Sequence, residues 1–449
     1  LNIESMIKNM KTKTLLINLP CYLSMKDFVE NDYGYNPSLG LLAIAEYLGL
    51  FEFETKVIDY NYTNIDYESL ERIILDENYS VVGITAYTEN LNLVLKFSKT
   101  IKKINKHITV VVGGPHATLK PEDIVKSRYV DCVTVRDGEA TFLELLSYFE
   151  FGGEFIPKQA LEGVIFNNEP YKIRDNVTDL SLLPIINRDK MDSSKYKNVV
   201  TIYSSKGCPG KCIYCAASFI SGARYRIRNV YSIFLECWLI YYQLNKTVDR
   251  LFFIDDTFTV HKKRTKDFCH LVKKYNYPLL WSCESRIDVM KKETIDLFAE
   301  SNCYAIQFGV ESGSQYVLDT IKKNIDLAHL EEIVSYASKY AMEIFLGFML
   351  GHYVDTIETM QDTINYIKRM LKINQYVQYS VSINTPFPGT WQYEHANEIG
   401  LTITDFDYSH YNLITPVIKT KFFDKVVLEK LFEQANALRV TNNMEKESK

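Results

Sequence analysis

From Thr14 onward the chain alternates short, wholly apolar runs with longer stretches whose apolar residues recur at helical spacing. Thr14-Leu-Leu-Ile-Asn-Leu-Pro20 is continuous and closed by proline, which predicts a buried strand. Pro37-Ser-Leu-Gly-Leu-Leu-Ala-Ile-Ala-Glu-Tyr-Leu48 predicts a helix with its proline near the start. Lys56–Tyr60, Val81–Thr88, Thr109–Val112 and Val133–Val135 give further strands. Between the third and fourth, Val94, Phe97, Ile101 and Ile104 lay one apolar stripe along a helix. Strands that are apolar on both faces, separated by amphipathic helices, predict a doubly wound parallel sheet covered on both sides.

The pattern lapses over residues 151–196, where Asn, Asp, Lys and Pro are frequent. This predicts a connector, with a short hairpin between Leu161–Phe166 and Tyr171–Ile173 and an extended strap at Leu182–Ile185. Alternation resumes with six strand candidates: Val199–Tyr203, Arg250–Ile254, Leu279–Cys283, Tyr304–Phe308, Glu343–Leu346 and Val377–Ile383. The expected class is α/β. A Rossmann- or flavodoxin-like sheet at 1–150 is followed by the connector, a second α/β domain at 197–400, and a small helical accessory region at 401–449.

Composition narrows the function classes. The chain has 449 residues, room for two or three domains, with 47% hydrophobic and 24% charged residues. A formal net charge of −5 argues against a general nucleic-acid surface. No apolar run approaches the roughly 18 residues of a membrane span. Leu1 to Lys13 is polar and basic, without the apolar centre of a signal peptide. Nine cysteines suit a reducing compartment, so a cytoplasmic location is expected.

Three of those cysteines stand within eight residues, Cys208-Pro-Gly-Lys-Cys212-Ile-Tyr-Cys215, directly after the strand candidate Val199–Tyr203. Three thiols on one loop cannot all pair as disulfides, but they can converge on one metal centre. A tetrahedral zinc site would want a fourth ligand nearby, and no His or Cys lies between Cys215 and Cys237. Four thiolates would fill a cubane iron–sulfur cluster; three leave one iron open. Cys237, Cys269, Cys283 and Cys303 lie in helical or strand patterns and read as buried thiols.

Polar residues gather where the strand candidates end, which is where parallel α/β folds bind ligands. In the first half these are Thr85, Tyr87 and Thr88 on one loop and Gly113-Gly-Pro-His-Ala-Thr118 on the next, whose paired glycines admit a ligand close to the backbone. In the second half they are Asp255 and Asp256, Glu284 and Arg286, and Glu311 and Ser312. Each acid taken singly is as well explained as a helix cap; the set favours a site. Arg224, Arg226 and Arg228 alternate after the cysteine loop, as an anion site or as a solvated face.

The cysteine loop resembles the signature of the radical S-adenosylmethionine (SAM) enzymes. The resemblance implies that Cys208, Cys212 and Cys215 hold a [4Fe-4S] cluster, that SAM chelates the open iron, and that Tyr214 lies beside the adenine. It assigns Asp255 and Asp256 to the SAM amino group, Glu284 and Arg286 to ribose hydroxyls and a carboxylate, and Glu311 and Ser312 to SAM, on a partial (β/α)6 barrel. The first half is similar to the cobalamin-binding domain of one large subgroup. It matches at Pro-Ser-Leu-Gly-Leu-Leu, Gly-Ile-Thr-Ala-Tyr, Gly-Gly-Pro-His-Ala-Thr and Arg136-Asp-Gly-Glu-Ala-Thr141. This implies cobalamin contacts at Thr85, Tyr87, Thr88, Gly113, Gly114, Pro115, His116 and Glu139. Two loops depart from the pattern: Arg136-Asp-Gly-Glu139 stands for the commoner Gly-Glu-Gly-Glu, and His352-Tyr-Val-Asp-Thr356 for Pro-Gly-Glu-Thr. No Asp-x-His-x-x-Gly is present, so a cobalt without a histidine beneath it is expected.

The implied activity is reductive cleavage of SAM to a 5′-deoxyadenosyl radical, hydrogen abstraction from a substrate carbon, and methyl transfer from methylcobalamin. The alternatives are a non-methylating cyclase, rearrangement or oxidation enzyme, or a cobalamin- or redox-sensing module. A small-molecule or peptide substrate and a one-electron reductant of flavodoxin or ferredoxin type are the expected partners, with neither nucleic acid nor membrane.

Overall fold

The computed structural model describes residues 11–21, 37–60, 65–188, 198–222, 224–244 and 248–447. Expectations that fall on residues 1–10, 189–197 and 448–449 lie outside these. The chain divides into two compact units. One is Leu1–Asn198 with Phe219–Gly222 and Tyr242–Thr247; the other is Val199–Ser218 with Ala223–Tyr241 and Val248–Lys449.

In the first unit the apolar runs become β1 (Thr14–Asn18), β2 (Thr55–Asp59), β3 (Val81–Thr85), β4 (Thr109–Gly113), β5 (Cys132–Thr134) and β6 (Val164–Phe166). Their order is β2-β1-β3-β4-β5-β6. Neighbours among the first five run parallel, and β6 closes the edge antiparallel to β5. The first five strands follow the flavodoxin-like order, whose ligand crevice opens between β1 and β3. All five residues of β1 and of β3 are buried. Helix Leu39–Gly49 lays Leu41, Ala45 and Leu48, and helix Gly138–Phe151 lays Phe142, Leu145 and Leu146, in one core with Leu16, Val81 and Val111. Of the predicted stripe on helix Leu91–Ile104, Val94, Phe97 and Ile101 are fully buried. The expected hairpin does not form: the one bridge between these segments, Glu162 with Lys172, is parallel. Val164–Phe166 instead finds its partner in β5, some thirty residues upstream, a pairing that local pattern does not reveal.

The second unit holds β7 (Asn198–Ile202), a short ribbon of β8 (Ser205–Lys206) with β9 (Arg226–Ile227), then β10 (Val248–Phe253), β11 (Leu280–Ser285), β12 (Cys303–Glu311), β13 (Glu343–Leu350) and β14 (Val377–Ile383). The six long strands form one sheet in sequence order, β7-β10-β11-β12-β13-β14, parallel from β10 to β14. This is the expected partial barrel. Trp281 anchors its core. Its ring lies 6.0, 5.4, 5.4 and 4.9 Å from Phe253, Phe258, Phe268 and Phe298, which pins helices Lys262–Lys274 and Lys292–Ala299 onto the strands.

Two expectations change here. The C-terminal region is not helical throughout: Thr402–Ile403 (β15) pairs antiparallel with Ile418–Lys419 (β16) before helix Lys425–Glu447 begins. Two-residue strands leave no periodicity to read. The arginine run is not a solvated face either, because Arg226 and Arg228 are buried. Arg228 pairs with fully buried Glu236 at 2.6 Å and donates to the carbonyl of Tyr203 at 2.7 Å, so it braces the strand end that enters the cysteine loop.

Removing one member of a buried pair strands the other charge, at about 3–5 kcal/mol, whereas replacing both by apolar residues does not. Glu236→Ala is therefore expected to lower the thermal midpoint far more than the double variant Arg228→Met/Glu236→Leu, as read by paired melting curves.

Candidate functional site

The cysteine loop is fixed at its middle. The Ile213 N–H donates to the carbonyl of Ile321 at 3.2 Å, and its carbonyl accepts from Gln392 N–H at 3.0 Å. Around this buried anchor Cys208, Cys212 and Cys215 remain partly exposed with free thiols, while the other six cysteines are buried. The N–H of Gly210 donates to the sulfur of Cys208 and that of Ala217 to the sulfur of Cys215, each at 3.4 Å. Such bonds stabilise thiolates and tune a cluster held by them. Burial pushes the Cys212 thiol up and that of Cys215 to about 11, so a bound metal would have to supply the positive charge that deprotonates them. Among the described residues no three His, Cys, Asp or Glu side chains are gathered for a single metal ion. A cubane asks for wider spacing, since each thiolate takes a different iron.

The strand-end acids divide into two groups. Asp255 is buried and its carboxylate is fully engaged by the protein. It accepts from Ser204 N–H and Ser205 hydroxyl, each at 2.6 Å, from Arg264 at 3.3 Å, and from the Ser204 hydroxyl. Asp256 accepts from Gly207 N–H at 2.8 Å. Both acids thus hold the strand end and the first turn of the cysteine loop. Ser312 also turns inward, buried and 3.2 Å from the Thr363 hydroxyl.

The second group faces the loop. Glu311 ends β12 with φ +73°, a left-handed backbone that a side-chain-bearing residue rarely adopts. Its carboxylate pairs with Lys323 at 2.8 Å, and its charge, after burial, helps push the Tyr214 phenol up. Lys323 also feels the Cys212 and Cys215 sulfurs. Arg286 is held bidentate by Asp288 at 3.0 and 2.7 Å, and its guanidinium would stand 2.6 Å from a Cβ on Gly210, so glycine there admits the arginine. Glu284, near the end of β11, has its carboxyl pushed to about 7 by burial first and then by Asp256 and Asp255. Lys323 was not singled out by sequence, since it is drawn to Glu311 by the return of helix Gln315–Thr320. Nor was His352, which lies in a loop that departs from the family pattern and whose ring is 5.5 Å from that of Tyr214.

In the first unit, pairing of Thr85 with Gly113 sets the β3 and β4 loops side by side. Two bonds, Ala86 N–H to Gly113 carbonyl at 2.8 Å and His116 N–H to Ala86 carbonyl at 2.9 Å, lock them together. Gly114 has φ +97°, and a Cβ on it would lie 2.4 Å from the Thr85 hydroxyl. Tyr87 projects, 38% exposed, whereas Thr85, Thr88, His116 and Glu139 are buried. The His116 ring is 3.0 Å from the Thr88 hydroxyl and 3.4 Å from the Asp123 carboxylate, so it ties the loops together from inside. Arg136 sits at φ +64°, which accounts physically for the glycine commoner at that position.

Comparison with known proteins gives the family and the fold relatives of the chain. Residues 25–146 match the B12 binding domain family and residues 202–367 the radical SAM superfamily. An uncharacterized methyltransferase of Pyrococcus horikoshii is 30% identical over 437 residues, spanning 95% of this chain and 92% of its own. The anaerobic magnesium-protoporphyrin IX monomethyl ester cyclase of Rubrivivax gelatinosus is 24% identical, over 77% of this chain and 63% of its own. In fold, the chain is similar to the radical SAM methyltransferase TsrM from Kitasatospora setae, solved with cobalamin and a [4Fe-4S] cluster, at TM-score 0.74 and 17% identity over 89% and 81% of the two chains. The chain belongs to the B12-binding radical SAM methyltransferase family. Its cofactors are a [4Fe-4S] cluster, SAM and cobalamin. No described helix is long and apolar enough to cross a membrane.

The residues present fit these groups: three thiols with N–H···S support for the cluster, charges of both signs beside it for the zwitterionic end of SAM, and a glycine cradle in the first unit for cobalamin. The raised carboxyl of Glu284 has a consequence for stability. Between its ordinary value of 4.5 and about 7 the folded chain holds a proton that the unfolded chain releases, so stability falls as pH rises through that window and stays lower above it. Glu284→Gln is expected to raise the melting temperature at pH 8 and to leave it nearly unchanged at pH 4.5, as followed by melts of the cofactor-free protein.

Proposed function

We propose that this chain is a cobalamin-dependent C-methyltransferase. In this reading Cys208, Cys212 and Cys215 hold the cluster, Tyr214, Asp256, Glu284, Arg286, Glu311 and Lys323 receive SAM, and the loops around Tyr87 and Gly113–Pro115 receive cobalamin. The observation that carries it is the charge arrangement around the cysteine loop: Lys323 paired with Glu311, Arg286 against Gly210, and a half-neutral Glu284. Acid and base together suit an amino acid's ammonium and carboxylate. When bound, the cluster supplies the single electron for reductive cleavage of SAM, and cobalamin the methyl group. The protein's own residues bind, orient and desolvate. Asp255 and Ser312 serve this site from behind, as positioning residues, and His116 serves the cobalamin loops in the same way.

The substrate is a small molecule or peptide rather than a nucleic acid, in keeping with an acidic chain of pI about 6.0. Electrons come from a flavodoxin- or ferredoxin-type donor, and nine cysteines outside any disulfide fit the cytoplasm. Cyclisation is the second reading, favoured by the likeness to the magnesium-protoporphyrin cyclase.

Anaerobic reconstitution with iron, sulfide and hydroxocobalamin, followed by SAM and a low-potential reductant, separates the readings. Methyl transfer yields S-adenosylhomocysteine with 5′-deoxyadenosine; cyclisation yields only the latter in the presence of substrate. Cys208→Ala/Cys212→Ala/Cys215→Ala is expected to abolish both the cluster absorbance and SAM cleavage; a triple variant that still cleaves SAM overturns the site. Gly114→Ala, strained at φ +97° and against Thr85, is expected to weaken cobalamin binding at least tenfold while the iron content stays unchanged. Loss of both would make that loop a folding element.

A further inference from the structure

His352 has no role in the site as described so far, yet its placement is unusual. It follows β13 and is completely buried. Neither ring nitrogen has a hydrogen-bond partner in the protein. An unpartnered buried polar group is a standing penalty to the fold. The backbone around it is, by contrast, fully specified. The N–H groups of Gly351 and His352 donate to the Asp355 carboxylate at 3.1 and 2.8 Å, and Asp355 N–H returns a bond to the His352 carbonyl at 2.8 Å. The Gly351 carbonyl accepts from the Asn384 amide at 3.0 Å. Gly351 itself has φ +89°, with Leu428 packed where a Cβ would project. The loop therefore holds the imidazole in one place with its hydrogen-bonding capacity unused.

That place is beside the Tyr214 ring, between the second and third cluster cysteines. Burial depresses the imidazole to about 4, against the pull of Glu311, so the ring is neutral near pH 7 and presents one donor and one acceptor. SAM has two chemically distinct ends. Its amino acid and sulfonium are charged and match the Glu311–Lys323 and Arg286 side. Its adenine is flat, neutral and edged with both donors and acceptors, and matches a phenol ring flanked by a neutral imidazole.

We propose that His352 is a positioning and specificity residue for SAM, its ring hydrogen-bonding the edge of the adenine base. This rests on the reading that SAM binds beside the cysteine loop.

The test uses the anaerobically reconstituted, cluster-loaded enzyme, with iron content and absorbance recorded first. Equilibrium dialysis measures binding of SAM and of the analogue carrying hypoxanthine in place of adenine. His352→Leu is expected to weaken SAM binding about tenfold, to narrow the preference for adenine over hypoxanthine several-fold, and to raise the melting temperature of the SAM-free enzyme by about 1–3 °C. His352→Asn, which keeps a donor and an acceptor, is expected to retain most of the affinity and the preference. If His352→Leu melts lower and leaves the base preference unchanged, the ring is a core residue satisfied by enclosed water and the proposal falls. Should the leucine variant not accumulate, loss of the adenine preference in His352→Asn overturns the proposal and its retention supports it. Cluster-loaded wild-type enzyme that binds neither nucleoside sinks the SAM site itself, and His352's role with it.

Discussion

The buried carboxylate of Asp255 is the constraint on which the second unit's chemistry depends. It gathers the backbone and hydroxyl of Ser204, the hydroxyl of Ser205 and the guanidinium of Arg264 at the point where β7 gives way to the cysteine loop. Asp256 then takes the N–H of Gly207. Two adjacent acids at the end of β10 thus fix the exit of a neighbouring strand. Without them the loop would leave the sheet from an undefined position, and the three thiols proposed to hold the cluster would have no common frame. The Arg228–Glu236 pair reinforces the same strand end through the Tyr203 carbonyl.

Seen this way, the site consists of a rigid rear and a receptive front. The rear is saturated: Asp255 has several donors and Ser312 leans on Thr363. The front keeps unsatisfied or strained groups, notably Glu311 at a left-handed backbone angle, Glu284 with its raised carboxyl, and the free His352 ring. Strain and unmet polarity of this kind cluster at functional sites, which is what motivates the proposed SAM site.

Most of the architecture was legible because parallel strands buried on both faces are written as unbroken apolar runs; Val377–Ile383 was delimited to the residue. β6, β15 and β16 were not, because strands of two or three residues owe their existence to a distant partner rather than to their own pattern. In the site, the thiol trio announced itself by spacing. What the sequence did not distinguish was direction. Asp255 and Asp256 are consecutive and identical, yet Asp255 is spent inside the fold while Asp256 stays partly exposed beside the loop. Lys323 is twelve residues from its partner Glu311, a separation meaningful only once the intervening helix turns back. His352 had one trace, its presence in a loop that departs from the family pattern, but its orientation is set by Gly351 and Asp355.

The distribution of sulfur carries a consequence of its own. Six cysteines are buried, and burial drives Cys21 and Cys269 to about 12 and Cys283 and Cys303 further still, so they stay protonated and sheltered. Only the trio at 208, 212 and 215 meets solvent. On the proposed reading, this gives incoming iron and sulfide one solvent-facing set of thiols to meet. Among the cysteines it also confines oxidation, because an oxidant meets the same three sulfurs and the six buried thiols are sheltered.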